Sequence, residues 1–345
     1  MALSGIDLVE RGYVPDFITR MGIRHYTGKR LQGATAGSEQ ELRAKREEFI
    51  NLLRNSPIAI DTEAANAQHY EVPSRFYQLC LGDNLKYSCA YYTKGDESLE
   101  QAEKAMFALY AERAQLRDGM KLMDLGCGWG SLTLWLAQTY PNMQITSVSN
   151  SRTQKTHIDT QAAQRGFKNV SVITANVNDF DIDEQFDRVI SIEMFEHMRN
   201  YHLLLEKISR WLKDDGKLFV HIFCHRSEGY AYEIDGDGDW MARNFFTGGV
   251  MPSKDLLMEF DEHMHCANDW WVNGEHYSKT SRDWLANLDA NKTEAMAVFR
   301  EHFTEQEAKI QLNRWRMFFL TCEEFFAWNK GEEWGVGHYL FEKNQ

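Results

Sequence analysis

The feature that most constrains the fold of this chain is a glycine-rich turn between a short apolar strand and a helix. The strand is predicted over residues 121–125, and Asp124 stands near its end. Three glycines follow within five residues, in Gly126-Cys127-Gly128-Trp129-Gly130. Glycine lets the backbone turn tightly and lets a ligand approach it closely. A strand, a glycine turn and a helix in this order predict the first crossover of a parallel α/β sheet.

Predicted strands and helices continue to alternate after this turn. Further strands are predicted over 144–148, 170–174, 188–191 and 217–222, with helices over 131–140, 153–165 and 201–212. Such alternation is typical of parallel βαβ units. We therefore predict an α/β fold with a Rossmann-like, doubly wound, mostly parallel sheet.

The remainder of the chain divides into three further segments. We predict a helical N-terminal extension over 1–60, a lid that closes over a cofactor over 61–116, the sheet-forming core over 117–223 and an aromatic-rich cap over 224–345. Within the cap, we expect 225–280 to be irregular and 281–330 to be helical. The cap should cover the carboxyl edge of the sheet and shape a pocket there.

Composition excludes several classes of function. The net charge of −13 argues against nucleic acid as a partner. Six dispersed cysteines without a CxxC pair indicate neither a metal site nor a disulfide framework. The sequence shows no apolar signal segment and no stretch long enough to span a membrane. We predict a cytoplasmic enzyme without stable membrane insertion.

The glycine turn and the next two strand ends predict a cofactor site. Gly128 and Gly130 are only two residues apart, so the turn lacks the GxGxxG spacing and suits a methionine-ribose group better than a pyrophosphate. The second strand ends without the usual acidic residue, and Asn150 with Gln154 can bond ribose hydroxyls instead. At the end of the third strand, Asn176 and Val177 would meet the edge and face of adenine. The turn resembles motif I of class I methyltransferases, which use S-adenosyl-L-methionine. A purely structural turn is the alternative.

Two carboxylates and an imidazole follow the strand at 186–191. If residues 193–197 are helical, Glu193, Glu196 and His197 share one face. Methyl transfer from a sulfonium to an amine requires a neutral nitrogen, whereas a free alkylamine has a pKa near about 10. One carboxylate can hold the ammonium form while the other, with the imidazole, relays its proton. The alternative is a structural helix start whose glutamates favour the positive end of the dipole.

Several motifs together go beyond a generic methyltransferase. The chain resembles the cyclopropane fatty acid synthase (mycolic acid methyltransferase) superfamily, and more closely its coclaurine-type, benzylisoquinoline alkaloid N-methyltransferase branch. The stretches that carry the resemblance are Tyr87-Ser88-Cys89-Ala90-Tyr91-Tyr92, 124–130, 186–197, 245–253, His69-Tyr70-Glu71-Val72-Pro73 and Gly331-Glu332-Glu333-Trp334.

The resemblance implies roles for individual residues. Glu196 and His197 would act on the amine proton, and Glu193 would contact the substrate nitrogen. The implied cofactor-binding residues are Tyr87, Ser88, Asp124, Gly126, Gly128, Asn150, Gln154, Asn176, Val177 and Ile192. The predicted reaction is in-line N-methylation of a small secondary or tertiary amine, such as a tetrahydroisoquinoline.

The lipid branch of the superfamily supplies the main alternative, methylene or methyl transfer to an unsaturated acyl chain. Cys89, Glu196 and His221 correspond to the residues that hold bicarbonate in cyclopropane synthases. Against this alternative, Glu193 stands where glycine is usual, and a further ionisable group beside an acyl chain would be costly to desolvate. The segment Met317-Phe318-Phe319-Leu320 also replaces tyrosines with side chains that cannot donate a hydrogen bond.

The substrate pocket is predicted from aromatic and polar residues outside the core. Aromatic rings there could sandwich a flat amine or hold a cation by cation–π contact, although each could equally serve only as core. The candidates are Tyr70, Cys89, His221, Phe326, Trp328 and Trp334. A non-catalytic scaffold that binds the cofactor is a further alternative, and a homodimer is one option for the assembly.

Overall fold

The structure is a computed structural model that describes residues 3–60, 72–234 and 239–344. The N-terminal extension forms α1 (Gly5–Glu10), α2 (Asp16–Thr35) and α3 (Glu39–Arg54), followed by α4 (Ser74–Cys80) and α5 (Leu99–Arg113). Serine caps begin three of these helices, because Ser4, Ser38 and Ser98 each accept a bond from the backbone three residues on.

The core alternates strands and helices as predicted. It contains β1 (Lys121–Leu125), α6 (Ser131–Thr139), β2 (Gln144–Ser149), α7 (Arg152–Arg165), β3 (Val170–Thr174), β4 (Phe186–Ile192), a 3₁₀ turn (Phe195–His197), α8 (Tyr201–Trp211) and β5 (Leu212–His225). The prediction of a doubly wound, mostly parallel α/β sheet is confirmed.

The C-terminal region completes the sheet and adds a helical layer. Its elements are β6 (Tyr230–Ala231), α9 (Trp240–Asn244), β7 (Val250–Met251), a 3₁₀ turn (Leu256–Glu259), β8 (Met264–Val272), α10 (Glu275–Ala290), α11 (Lys292–Arg300), α12 (Glu305–Phe326), a 3₁₀ turn (Trp328–Gly331) and β9 (Trp334–Lys343). The helices agree with the prediction for 281–330, whereas an irregular 225–280 is wrong because β8 lies within it.

The seven strands of the main sheet have the order β3-β2-β1-β4-β5-β9-β8. Strands β1 to β5 pair in parallel, and β9 runs antiparallel to both β5 and β8. The order reverses between β1 and β4, which makes their carboxyl ends the switch point at which open α/β sheets bind ligands. The glycine turn after β1 and the carboxylates after β4 therefore meet.

Charged pairs fasten the N-terminal extension to α12. Arg20 bonds both Glu323 and Glu324 at 2.6 Å, and Arg314 bonds Glu10 at 2.8 Å. Glu10 also accepts the indole N–H of Trp240 at 2.9 Å. The extension therefore packs against α12 of the cap, and its inward-facing residues can line a cavity between them.

Membrane-spanning helices and clusters of metal-ligating side chains are both absent from the described residues. Within the described ranges, no helix has the length and apolar character that crossing a membrane requires. In the same ranges, no group of three or more His, Cys, Asp or Glu side chains is arranged to hold a metal ion. The six cysteines are all free thiols, and five of them are buried.

Candidate active site

A cleft lies at the carboxyl ends of β1, β2 and β4, and its two halves share Gly126, Gly128, Gln154, Glu193 and His197. All ten residues predicted to bind the cofactor line it. Tyr87, Ser88, Asp124 and Ile192 line one half, Asn150, Asn176 and Val177 line the other, and Gly126, Gly128 and Gln154 line both.

The three glycines of the turn serve different purposes. Each has a positive φ, between 53° and 83°, which side chains other than glycine rarely adopt. A Cβ on Gly126 would lie 2.6 Å from the side chain of Met194, and one on Gly130 would lie 2.5 Å from Ile158. Beside Gly128, by contrast, a Cβ would meet no atom within 4 Å. Gly128 therefore opens onto free space in the cleft, where a ligand can touch the backbone.

Polar groups in the cleft fit a ligand that offers hydroxyl groups. Gln154 accepts a bond from Ser149 at 2.6 Å through its carbonyl oxygen, while its buried amide nitrogen has no hydrogen-bond partner among the described residues. A buried amide without a partner is costly, and a ribose hydroxyl would satisfy it. Asp124 accepts a bond from Thr133 at 2.6 Å, and burial raises its pKa to about 6. These residues fit S-adenosyl-L-methionine.

Glu193 does not lie on a helix, so the predicted single helical face for Glu193, Glu196 and His197 is wrong. Its φ is +47°, and only Phe195–His197 forms a 3₁₀ turn. The backbone N–H of Glu193 instead donates to the carbonyl of His221 at 2.8 Å, which continues the β4–β5 pairing. The left-handed backbone at Glu193 is a strained conformation, as is often found at functional sites.

Three donors converge on the carboxylate of Glu193. Its Oε1 lies 3.0 Å from His221 Nε2 and accepts the backbone N–H of Cys89 at 3.1 Å, and its Oε2 accepts the hydroxyl of Tyr277 at 2.5 Å. Burial raises the pKa of Glu193 to about 7, while the bond from Tyr277 and the charge of Lys86 oppose this rise. The site thus holds Glu193 near the balance between its two protonation states.

Glu196 is buried and differs from Glu193 in having few polar neighbours. Its Oε2 has no hydrogen-bond partner among the described residues. Burial and the adjacent charge of Glu193 raise the pKa of Glu196 well above its ordinary value. The two carboxylates therefore have unlike proton affinities, which is the arrangement expected of an anchor and a base.

His197 and Lys86 are two further polar groups of the cleft. The imidazole of His197 stacks on Phe246, with ring centroids 5.9 Å apart and planes at 13°. Lys86 is buried, donates to Ser88 and to the carbonyl of Cys89 at 2.7 Å, and lies over the ring of Tyr110. Burial lowers the pKa of Lys86 to about 8.

An apolar cavity of about 490 Å³ adjoins the cleft, which it meets at Phe223, Phe246, Tyr277 and Phe318. Its other walls come from α1, α2, α9 and α12. Phe326 lines it, as predicted, and stacks on Tyr277 with centroids 4.3 Å apart and planes at 15°. The cavity thus brings aromatic faces to the side of Glu193.

The structure places most other predicted pocket residues outside the cavity and the cleft. Cys89 and His221 are buried behind Glu193, where they contact its carboxylate. Trp328 lies over Gly28 of α2, and Trp334 packs between Phe325 and His225; neither lines the cavity or the cleft. The prediction that these four residues line the pocket is therefore corrected. His221 of β5 and Trp334 of β9 are buried in the sheet, Cys89 is buried against Glu193, and Trp328 packs on α2. Tyr70 lies outside the described residues.

Sequence reasoning missed several functional candidates. Lys86 stands directly before the Tyr87-Ser88 motif, so its position was visible, but nothing in a single sequence shows that it is buried. Tyr277 and Tyr110 lie on helices remote from the motifs, and His338 lies on a strand that was not predicted. Only the folded structure brings these residues near Glu193.

A doubly wound sheet with this glycine turn and this cleft defines a class I S-adenosyl-L-methionine-dependent methyltransferase. The family described as mycolic acid cyclopropane synthetase matches residues 59–332, so the chain belongs to that family. This confirms the predicted superfamily. The family includes both lipid-modifying and amine-modifying relatives, and the degree of similarity distinguishes them.

The N-methyltransferases are the more similar group. (S)-coclaurine N-methyltransferase of Thalictrum flavum subsp. glaucum is 40% identical over 97% of this chain and 94% of its own. Pavine N-methyltransferase of the same plant is 33% identical over 98% and 96%. A crystal structure of coclaurine N-methyltransferase with N-methylheliamine and SAH superposes with a TM-score of 0.95, at 39% identity over 98% of both chains.

The lipid branch is less similar. A mycolic acid cyclopropane synthase crystallised with SAH and CTAB has a TM-score of 0.69 and 25% identity, covering 83% of this chain and 99% of its own. The chain is therefore an S-adenosyl-L-methionine-dependent N-methyltransferase that acts on a small molecule, and this interpretation prevails over the lipid alternative.

Proposed function

We propose that the chain methylates the nitrogen of a small secondary or tertiary amine of the tetrahydroisoquinoline class, such as a coclaurine-like substrate. The observation that carries the proposal is the pair of carboxylates, Glu193 with a side chain only 7% exposed and the buried Glu196, in the cofactor cleft beside an aromatic cavity. A carboxylate pair attracts a cationic amine, and the cavity accepts its flat rings. The N-methylheliamine complex of the related enzyme supports this substrate class.

The cofactor would be held by the ten cleft residues identified above. Gly128 would let it approach the backbone, and Gln154 with Asn150 would bond its ribose hydroxyls. Asn176 and Val177 line the part of the cleft that suits adenine. S-adenosyl-L-methionine, when bound, supplies an electrophilic methyl group.

The charged residues of the chain would control the protonation of the substrate. An alkylamine enters mostly as ammonium, since its pKa is near about 10. Glu193, with three hydrogen-bond donors, would hold this cation as a carboxylate. Glu196, once its own proton has left, would take the N–H proton and so free the nitrogen lone pair for in-line attack, and its raised pKa makes the carboxylate a stronger base. His197, at the cleft wall, would then accept that proton from Glu196 and pass it to solvent.

The surrounding aromatic residues would position the amine and exclude water. The rings of Tyr277 and Phe246 line the cavity where it meets the cleft, and Phe326 lines the cavity beside Tyr277. Aromatic faces favour a positively charged nitrogen and stack on flat rings. A dry site also strengthens the attraction between the ammonium group and Glu193.

A direct test presents purified protein and S-adenosyl-L-methionine with a panel of aromatic and aliphatic amines, beside vesicles of unsaturated phospholipid, and reads the products by mass spectrometry. We expect a gain of one methyl group on tetrahydroisoquinolines and no change in the lipid. Methylene addition to the acyl chains would contradict the proposal. Tight cofactor binding without turnover of any amine would favour the non-catalytic scaffold.

We also propose the four-part division of the chain, a homodimer and a cytoplasmic location. Six large apolar side chains within residues 3–26 are exposed, which favours contact with a second copy: Leu3, Tyr13, Phe17, Ile18, Met21 and Tyr26. Sedimentation analysis of the protein and of a Phe17→Glu, Met21→Glu variant tests the dimer, because two charges in that face should leave only monomer.

The free thiols support the proposed cytoplasmic location, because that compartment is reducing. Localisation of a tagged protein would test it.

A further inference from the structure

A chain of hydrogen bonds leads from Glu193 away from the cleft and across the face of the sheet that α5 covers. Glu193 Oε1 lies 3.0 Å from His221 Nε2, His221 Nδ1 lies 2.8 Å from His338 Nε2, and His338 Nδ1 lies 2.6 Å from Arg113 Nη1. Both histidines are fully buried, whereas Arg113 is half-buried. This hydrogen-bond chain therefore connects a group in the active site with a cation on the face of α5 that packs against the sheet.

Strand register and helix periodicity build this chain. His221 of β5 faces His338 of β9, which in turn faces Trp270 of β8. Tyr110 and Arg113 of α5 are three residues apart and share the helix face that covers this row. The hydroxyl of Tyr110 lies 3.0 Å from His221 Nδ1, and the guanidinium of Arg113 lies over the indole of Trp270 at 5.0 Å.

The arginine determines the direction of the three bonds that lead from Arg113 through His338 and His221 to Glu193. A guanidinium only donates, so His338 Nδ1 must accept, and neutral His338 carries its proton on Nε2. His221 Nδ1 must then accept in turn, and its proton on Nε2 donates to Glu193. Burial and the charges of Lys86 and Arg113 lower the pKa of both histidines well below the ordinary value, so both are neutral near pH 7.

We propose that Arg113 is a positioning residue that, through His338 and His221, keeps Glu193 a hydrogen-bond acceptor and hence a carboxylate. With Arg113 absent, the direction of these hydrogen bonds can reverse. His221 Nε2 then accepts, and Glu193 must carry a proton to donate. A protonated Glu193 has no charge with which to hold an ammonium group. The inference rests on the proposed function, in which Glu193 binds the substrate nitrogen.

Other titratable groups also face the two ends of the chain. Those around Glu193 are Lys86, Cys89, Tyr110, Glu196, Tyr277 and Cys322, and those around His338 are Tyr110, Lys86, His221 and Arg113. All except Arg113 remain when that residue alone is replaced. A difference in pH response between the wild type and an Arg113 variant therefore reports the contribution of the guanidinium.

The tautomers of His221 and His338 can be determined by NMR, without measuring catalysis. In full-length protein labelled with ¹⁵N-histidine, two-bond proton–nitrogen couplings distinguish Nε2–H from Nδ1–H imidazoles, and His221→Gln and His338→Gln variants assign the two signals. We expect both rings to be neutral Nε2–H tautomers. A proton on Nδ1 of either ring, or a charged ring at pH 7, would overturn the inference even if the enzyme methylates tetrahydroisoquinolines as proposed.

The second test is the pH profile of kcat/KM for Arg113→Met with a tetrahydroisoquinoline, relative to the wild type. A rise in the pKa of Glu193 from about 7 to about 8 lowers kcat/KM roughly fivefold at pH 7 and by only roughly 10% at pH 9. The ionisation of the amine itself cancels in this ratio.

Matched variants separate this effect from simple damage to the fold. Arg117→Met removes a nearby exposed cation that does not touch His338, and it should keep the wild-type profile. Arg113→Lys retains a side chain that only donates, and it should move the profile back toward the wild type. An equal loss for Arg113→Met at every pH would overturn the inference. No turnover by the wild type with any amine would instead refute the proposed function and leave the tautomer result standing.

Discussion

The hydroxyl of Tyr277 donates to Glu193 Oε2 over 2.5 Å, and this bond joins α10 of the cap to the end of β4 in the core. The ring of the same tyrosine stacks on Phe326 and lines both the cleft and the cavity. One side chain therefore shapes the wall against which the substrate would lie and stabilises the charge that would hold it.

Tyr277→Phe should raise the pKa of Glu193 above about 7, because it removes a donor to the carboxylate and keeps the ring. A hydrogen bond to a charged group contributes roughly 1.5–3 kcal/mol, which corresponds to about one to two pKa units. The folded carboxyl then ionises only at higher pH. We expect kcat/KM to fall roughly five- to fiftyfold at pH 7 and to recover as the pH rises, measured as a pH–rate profile.

Tyr92→Phe is the matched control for this variant. Tyr92 belongs to the segment that carries Cys89, and its hydroxyl donates to Asp283 of α10 at 2.7 Å. It therefore fastens the same helix, α10, to a segment that neighbours Glu193, without touching Glu193 itself. Its pH profile should match that of the wild type, and an equal shift in both variants would mean that α10 acts through its position alone.

Glu196→Ala and His197→Ala should each reduce turnover far more than they reduce cofactor affinity. General acid–base groups contribute roughly 10²- to 10⁴-fold to the rate. Neither side chain is needed for the contacts that Gly128 and Gln154 would make. Turnover can be measured with a tetrahydroisoquinoline, and affinity by calorimetry with S-adenosylhomocysteine. Unchanged turnover in both variants would remove the proposed proton path.

The core of the fold was predictable because its pattern is local. The strands at β1 and β3 were predicted with their observed bounds, and the glycine turn lies where the alternation places it. Strand β9 was not predicted, since eight of its ten residues are buried and it shows no alternation of exposed and buried positions. The antiparallel extension of the sheet therefore depends on tertiary contacts.

Site residues were predictable only where they lie in one motif or at successive strand ends. Residues at successive strand ends meet in one cleft by topology, which is why the cofactor residues could be named. The backbone at Glu193 could not be inferred, because a left-handed glutamate is a local strain that the surrounding fold imposes. The prediction of aromatic pocket residues was partly wrong for a similar reason. Trp334 is of a residue type that often lines pockets, but here it is buried in the core.

Glu103→Gln should stabilise the fold above pH 7. Glu103 is fully buried on α5 and bonded by Asn84 at 2.8 Å, and burial raises its pKa from 4.5 to about 7. The folded state thus keeps a proton that the unfolded chain loses between these values, so stability falls as the pH rises through that window. Glutamine carries no charge and avoids this loss, a gain of up to about 3 kcal/mol at pH 8 and little at pH 5.

Denaturant unfolding of Glu103→Gln at pH 5 and pH 8 measures this difference. Glu100→Gln is the matched control, because Glu100 is an exposed residue of the same helix and pairs with Lys104 at 2.6 Å. A surface pair of this kind contributes little to stability. A gain for Glu103→Gln that is equal at both pH values would show that the carboxyl does not change its charge in this window.

Gly128→Ala and Gly130→Ala should separate cofactor binding from folding. Both glycines have a positive φ, so either alanine adds backbone strain of about 1 kcal/mol. The Cβ at position 128 enters open space in the cleft, whereas that at position 130 lies 2.5 Å from Ile158. Calorimetry with S-adenosylhomocysteine should show lost affinity for Gly128→Ala, and thermal unfolding should show the larger destabilisation for Gly130→Ala. Full cofactor affinity in Gly128→Ala would place the ligand elsewhere in the cleft.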